Sequence, residues 1–166
     1  MLDLSEFPLP SCSGAWSSSI WTVAPPSSRR DTGAWYALAD TSDRHHEEAK
    51  RFYTEQPDRT AFATTDLIVA EMCALLSAHL SREAALTFWE TLRATQTPIF
   101  TADPVDLEAA WHIAQAFPDQ AFSLVDCTTF ALMERLGIHE AFAFDAHFLV
   151  YRFGLGRQRA FRRFPR

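Results

Sequence analysis

Four acidic residues stand in apolar stretches of the sequence, where a solvated charge is not expected. They are Asp31 in RRDTGAW, Glu71 in LIVAEMCALL, Asp126 in SLVDCTT and Asp145 in AFAFDAHF. Carboxylates are rarely buried unless they are paired or bound to a metal. Glu71 is the clearest case, because it lies in the middle of a predicted helix with apolar neighbours on both sides. These four side chains are therefore the first candidates for a functional site.

The chemistry that such a set supports is metal-dependent. Four carboxylates that converge without a cation would repel one another, and some of them would take up protons. Mg²⁺ or Mn²⁺ prefers oxygen ligands, keeps several waters, and is commonly held by one or two carboxylates plus substrate phosphates. Such an ion, alone or as one of a pair about 4 Å apart, activates water and stabilises the charge that develops on a phosphodiester.

Each acid, taken alone, also has a purely structural explanation. Asp126 completes a helix cap with Ser123, and Asp145 is a turn residue at the end of a strand. In the same structural interpretation, Asp31 is an ordinary residue at the start of a helix, and Glu71 lies on the solvent-exposed face of its helix. The occurrence of all four in one chain favours the functional interpretation.

The segment 123–148 contains the elements that position two of these acids. Ser123 and Asp126 form an N-terminal capping pair, and Gly137 predicts a left-handed helix stop. The alternating residues that follow predict a short strand that ends at Asp145. Because ligands bind beside the carboxyl ends of strands in open α/β sheets, we expect Asp126 and Asp145 to meet in space.

The rest of the chain alternates between short strands and helices. Apolar periodicity and capping residues predict strands at 60–64, 98–100, 139–144 and 160–164, and helices at 43–56, 66–80, 81–95, 103–117 and from 123 to the Gly137 stop. Strands that alternate with helices of this length are typical of βαβ units. The predicted fold class is therefore α/β with a parallel sheet.

Composition and charge limit the kinds of protein that this chain can be. The chain has 166 residues, 48% of them hydrophobic, which suits one globular domain with a single core. No apolar run approaches the roughly 20 residues of a membrane helix. Three cysteines without a CxxC pair disfavour both a disulfide framework and a zinc site and indicate a cytoplasmic protein. Six of the 15 basic residues lie in 152–166, a stretch without acids. This tail is either a contact surface for a polyanion or an acidic partner, or a solvated terminus.

Three stretches of the sequence resemble the PIN-domain ribonucleases, and most closely the VapC-type toxins of toxin–antitoxin pairs. They are, in order, DTGAWYALAD, VAEM and SLVDCTTFALMERLGIHEAFAFDAHF. Each is weak alone, but their order and spacing are specific, and the likeness covers about residues 31–165. It implies a PIN-like three-layer α/β/α fold with a short, mainly parallel central sheet.

The resemblance also assigns roles to residues. The family's four acids match Asp31, Glu71, Asp126 and Asp145, which would be both catalytic and metal-binding. The family often places a Ser or Thr near these acids to bind metal-bound water or phosphate, and the candidates here are Thr32, Thr128 and Thr129. Apart from the resemblance, His147 lies two residues after Asp145 and is a candidate contact for substrate phosphate, with packing or a surface role as the alternative. The arginine tail likewise offers Arg159, Arg162 and Arg163 as contacts for RNA or an antitoxin.

The activity implied by the resemblance is Mg²⁺- or Mn²⁺-dependent hydrolysis of RNA. An antitoxin encoded alongside would restrain it, and the enzyme would act as a homodimer in the cytoplasm without a membrane partner. Two other classes of function are compatible with acidic residues in this arrangement. One is a catalytically silent PIN-like module that binds antitoxin or RNA. The other is a Mg²⁺-dependent phosphatase with Asp31 as nucleophile, which is disfavoured because no DxDxT motif follows.

Residues 1–30 depart from the family pattern. They contain eight serines and four prolines, and Pro25 to Arg30 precede Asp31 where the family has an apolar central strand. We therefore expect the nuclease domain to span 31–166 and residues 1–30 to be a poorly ordered extension or the product of a frame or start error. The alternative is that Ile20 to Val23 serve as the strand, with a gap before Asp31.

Overall fold

Five parallel strands form one sheet in the part of the chain that the structure describes. The computed structural model describes residues 19–22, 33–55, 61–95 and 97–165, with backbone only at 19–22 and 61. The strand order is β3-β2-β1-β4-β5, and every neighbouring pair runs parallel. The strands are β1 (Ser19–Thr22), β2 (Ala61–Thr65), β3 (Ile99–Phe100), β4 (Glu140–Phe142) and β5 (Arg162–Phe164).

Seven helices connect or follow the strands in the described part of the chain. They are α1 (Ala34–Ala39), α2 (His46–Glu55), α3 (Asp66–His79), α4 (Arg82–Ala94), α5 (Pro104–Ala116), α6 (Leu124–Leu136) and α7 (His147–Val150). A short 3₁₀ turn follows at Leu155–Arg157. Local sequence sets most boundaries, because Thr65, Ser81, Asp103 and Ser123 each cap the helix that they precede. Gly137 ends α6 with a φ of 67°, in the left-handed region that glycine tolerates best.

The helices fall into two groups, one for each face of the sheet. Contacts link α1 with α2 and α3, and α3 with α4, while α5 packs on α6. Right-handed crossovers explain the grouping, because the chain moves from β1 through β2 to β3 in one direction and then, by way of α5 and α6, from β3 to β4 in the other. The predicted three-layer α/β/α class with a parallel central sheet is therefore confirmed.

The central strand lies within the segment that was predicted as an extension. Ser19–Thr22 pairs with β2 on one side and with β4 on the other. The sequence SIWT suits a strand because isoleucine, tryptophan and threonine favour extended backbone. This is the alternative in which residues near Ile20 replace the family's apolar strand. The other residues of 1–30 lie outside those that the structure describes, as do residues 31 and 32.

The strand order fixes where a ligand site can lie. The chain leaves β1 toward β2 and later returns to β4 on the opposite side of β1, so the order reverses between β1 and β4. In open α/β sheets the crevice at such a reversal, beside the carboxyl ends of the strands, is the usual ligand site. No helix among the described residues has the length and apolar character needed to span a membrane.

Candidate active site

Asp126 is held in place by the first turn of α6. Its backbone N–H donates to Ser123 Oγ at 3.0 Å, and its Oδ2 accepts from the Ser123 backbone N–H at 2.8 Å. This reciprocal capping box is the pair that the sequence predicts. Asp126 is 1% exposed and lies at the positive end of the helix dipole, which favours its negative charge. The structural role is thus real, but it uses only one carboxylate oxygen.

Glu71 lies in the second turn of α3 and is coupled electrostatically to Asp126. The helix begins directly after β2, so its first turns lie at the carboxyl edge of the sheet. Burial and, secondly, the negative charge of Asp126 raise the pKa of Glu71 to about 7. Its Oε2 is buried and accepts no hydrogen bond from the described residues. Two acids from different helices therefore share one poorly solvated region.

Asp145 lies three residues beyond the end of β4, which is shorter than the predicted strand 139–144, and it is buried. Its Oδ1 accepts a hydrogen bond, at 2.8 Å, from the backbone N–H of His147, which is the first residue of α7. From β5, Arg163 Nη1 donates to the Phe144 carbonyl oxygen at 2.8 Å and approaches that of Asp145 at 3.5 Å. The loop that carries Asp145 is therefore held by hydrogen bonds from both α7 and β5.

His147 connects the two aspartates. Its Nδ1 lies 3.1 Å from Asp126 Oδ2, while its backbone N–H bonds Asp145. The structure thus brings together Glu71, Asp126, Asp145 and His147. Whether His147 also contacts substrate stays a prediction. The sequence placed His147 near the site but did not reveal that it joins two acids 19 residues apart in the chain.

The two threonines after Asp126 have different environments. Thr128 Oγ1 donates to the Leu124 carbonyl oxygen at 2.7 Å, so its proton is used within α6. Thr129 lies one turn after Asp126 on the same face of the helix. It is fully buried, and its Oγ1 has no hydrogen-bond partner among the described residues. Thr129 is therefore better placed than Thr128 for a ligand or water. Asp31 and Thr32 lie outside the described residues.

The donor set fits a hard divalent cation. Two buried acceptors, Glu71 Oε2 and Thr129 Oγ1, lack partners in the described region, and the Glu71–Asp126 repulsion is the kind that a cation relieves. The described side chains do not include a preformed cluster of three or more acids, histidines or cysteines. Mg²⁺ keeps several waters and needs only one or two direct carboxylates, so Glu71, Asp126 and Asp145 suit it as a partly water-mediated site.

The predicted arginine contacts separate into two kinds. Arg162 pairs with Glu140, and Arg163 holds the Asp145 loop, so both have structural partners. Arg159 is exposed and pairs through its backbone with Phe153. Arg157 lies over the Phe117 ring, with its guanidinium carbon 4.8 Å from the ring centre. Of the three predicted contacts, Arg159 is therefore the one whose side chain has no ion pair or hydrogen bond among the described residues.

The chain belongs to the PIN-domain family. The sequence model of the PIN domain matches residues 30–154, which include Glu71, Asp126 and Asp145. The match begins after β1, the strand supplied by the segment 1–30.

The relatives with known roles are toxins. The 23S rRNA-specific endonuclease VapC20 of Mycobacterium tuberculosis, in strains CDC 1551/Oshkosh and H37Rv, is 32% identical over 120 residues, which cover 71% of this chain and 88% of the relative. The crystal structure of Mycobacterium tuberculosis VapC20, a toxin that cleaves the sarcin–ricin loop, superposes with a TM-score of 0.66 at 26% identity. That superposition covers 78% of this chain and 91% of the other.

Proposed function

We propose that this protein is a metal-dependent endoribonuclease and the toxin of a toxin–antitoxin pair. The observation that supports this most strongly is the half-buried Glu71 beside the buried Asp126, whose like charges repel near Asp145 at the carboxyl edge of a PIN-family sheet. A merely structural acid would be expected to have a cationic partner. The reaction that we propose, endonucleolytic cleavage of RNA, is the one for which the similar VapC20 proteins are named.

The residues would divide the work of binding and hydrolysis among them. Asp126 and Asp145 would present carboxylate oxygens to Mg²⁺ or Mn²⁺ from two different elements, and Glu71 would complete the charge from α3, with Asp31 as the expected fourth acid. The bound cation supplies Lewis acidity toward the phosphodiester and lowers the pKa of a coordinated water. Thr129 would orient a water or a phosphate oxygen through its hydroxyl.

The substrate class that we propose is structured RNA. The VapC20 relative is 23S rRNA-specific, so ribosomal RNA that contains the sarcin–ricin loop is the first substrate to test. The exposed Arg159 and its basic neighbours in the tail support binding to a phosphate backbone, because arginine pairs with phosphate oxygens in a bidentate way.

The proposed partners are a cognate antitoxin and a second copy of the chain. Trp89 on α4 is 50% exposed and Trp111 on α5 is 59% exposed, and large exposed aromatic side chains are typical of protein interfaces. We propose cytoplasmic action, since the proposed substrate and antitoxin are found there.

The test is cleavage of RNA with Mg²⁺ or Mn²⁺, compared between the wild type, Asp126→Asn and Asp145→Asn. We expect the wild type to cut and both variants to lose more than about 100-fold in rate, because each removes a charged ligand. Equal rates in all three proteins would contradict the metal-site assignment.

The same assay addresses the silent module as an alternative. A wild-type protein that binds structured RNA but never cuts it, with either cation and free of antitoxin, would favour that module over the enzyme.

A further inference from the structure

One residue, His147, bonds both aspartates of the site. Its backbone N–H donates to Asp145 Oδ1 at 2.8 Å, and its ring Nδ1 lies 3.1 Å from Asp126 Oδ2. Asp145 follows β4, whereas Asp126 belongs to α6, so the residue links carboxylates from separate elements. His147 therefore links these two carboxylates directly.

The chemistry of the contact fixes the proton on the ring. An ionised carboxylate only accepts hydrogen bonds, so when Asp126 acts as the proposed metal ligand, Nδ1 carries the hydrogen and donates to it. Asp126 Oδ2 then accepts two donors, the His147 ring and the Ser123 backbone N–H. Among the described residues, none donates to Oδ1. Two donors on one oxygen fix the rotation of the carboxylate and leave the other oxygen for a ligand.

The imidazole is held against movement by an aromatic cluster. The ring of Phe122, just before α6, meets the His147 ring edge-on, with centroids 5.1 Å apart. Phe122 in turn packs on Phe130 and Tyr151. The His147 side chain is 18% exposed. This packing makes His147 a fixed support for Asp126 rather than a mobile side chain that reaches toward solvent.

We propose that His147 is a positioning residue, which orients the Asp126 carboxylate and fixes its spacing from Asp145 so that the two can share a divalent cation. This inference rests on the proposed function. It differs from the substrate-contact role that the sequence suggested for His147, because it acts through Asp126. Partners that orient metal ligands in this way typically change metal affinity or activity by about 10- to 100-fold when they are removed.

The test is Mn²⁺ binding to the metal-free full-length protein, measured by calorimetry without RNA. His147→Ala should weaken Mn²⁺ binding by about 10- to 100-fold. His147→Asn should restore most of the affinity, since the asparagine amide nitrogen is as many bonds from Cα as Nδ1. His147→Gln, whose amide nitrogen is one bond further away, should not restore it.

His112 supplies the matched control. It is also a histidine beside a carboxylate, 3.3 Å from Glu108, but its side chain is 69% exposed on α5. His112→Ala should bind Mn²⁺ as the wild type does. Melting curves without metal show which variants are folded, and the Asn and Gln variants keep the comparison valid if His147→Ala does not fold.

Two results would overturn the proposal. In one, His147→Ala binds Mn²⁺ as tightly as the wild type, and if its KM for RNA rises as well, the residue contacts substrate instead. In the other, His147→Asn is as weak as His147→Gln. Failure of the metal site itself is distinguishable, because Asp126→Asn would then also bind Mn²⁺ like the wild type.

Discussion

The first turns of α5 and α6 are built alike and used differently. Both helices open with a capping box, DPVD at 103–106 and SLVD at 123–126. Asp106 and Asp126 each occupy the third helical position, each returns a hydrogen bond to its cap, and each is 1% exposed. The local sequence therefore gives the two aspartates the same position and the same capping contact in their helices.

Their partners outside the helix differ in charge. Asp106 receives two hydrogen bonds from Arg135 of α6, at 2.7 and 2.8 Å, and this guanidinium holds the pKa of Asp106 below its usual range. Asp126 instead faces Glu71 and His147, and no lysine or arginine of the described residues forms an ion pair with it. A buried acid with its own arginine is structural, whereas one beside a second acid suits a cation.

The largest expected difference between the two aspartates is in RNA cleavage. Asp126→Asn should lower the rate by more than about 100-fold, while Asp106→Asn should stay within about 3-fold of the wild type, because only Asp126 is a proposed metal ligand. Both variants keep the shape of the side chain. Equal losses in the two would mean that the site geometry depends on helix capping rather than on a metal ligand.

Stability should show the opposite ranking. Asp106→Asn removes the ionic partner of Arg135 and should cost about 1–3 kcal/mol in the free energy of unfolding, measured in urea. The cost is limited because Arg135 is 43% exposed and can be solvated. Asp126→Asn, which relieves repulsion with Glu71, should cost less than Asp106→Asn. A larger loss for Asp126→Asn would show that its cap dominates.

The pH dependence of stability should identify the Glu71–Asp126 pair. Folding raises the pKa of Glu71 from 4.5 to about 7, so the folded protein keeps a proton that the unfolded chain releases. The contribution of Glu71 to the stability of the metal-free protein should therefore be fully present below about pH 4.5 and be lost, by on the order of 1–3 kcal/mol, as pH rises through about 7. Glu71→Gln should flatten this fall, and an unchanged slope in that variant would contradict the assignment.

The smallest effect is expected at the far end of α6. Gly137 has a positive φ, and an added Cβ would meet no atom within 4 Å, so Gly137→Ala should cost only the left-handed backbone strain, about 1 kcal/mol. Mn²⁺ binding should be unchanged, since Gly137 lies 11 residues after Asp126, at the other end of the helix. A change in Mn²⁺ affinity would show that the whole helix, rather than its first turn, sets the site.

The sequence predicted those features that depend on near neighbours. The cap at Ser123 and the stop at Gly137 were both confirmed, because each depends on residues within one turn. It also placed Asp145 just after a strand, observed as Glu140–Phe142.

The features that the sequence missed depend on distant residues. The sequence did not predict that Asp106 is buried, because the partner that pairs with it, Arg135, is 29 residues away. Its sequence neighbours Val105 and Leu107 are exposed, so they give no indication of that burial. The link from His147 to Asp126 likewise spans 21 residues. Capping patterns show that an aspartate begins a helix, but they do not show what it faces across the fold.

Asp126, unlike Asp106, is proposed to belong to a cation site. Calorimetric titration of Mn²⁺ into the metal-free wild type, Asp106→Asn and Asp126→Asn tests this directly, without any assumption about the RNA. We expect the first two proteins to bind with equal affinity and Asp126→Asn to lose binding by more than about 100-fold. Equal Mn²⁺ binding by Asp126→Asn and the wild type would contradict the account.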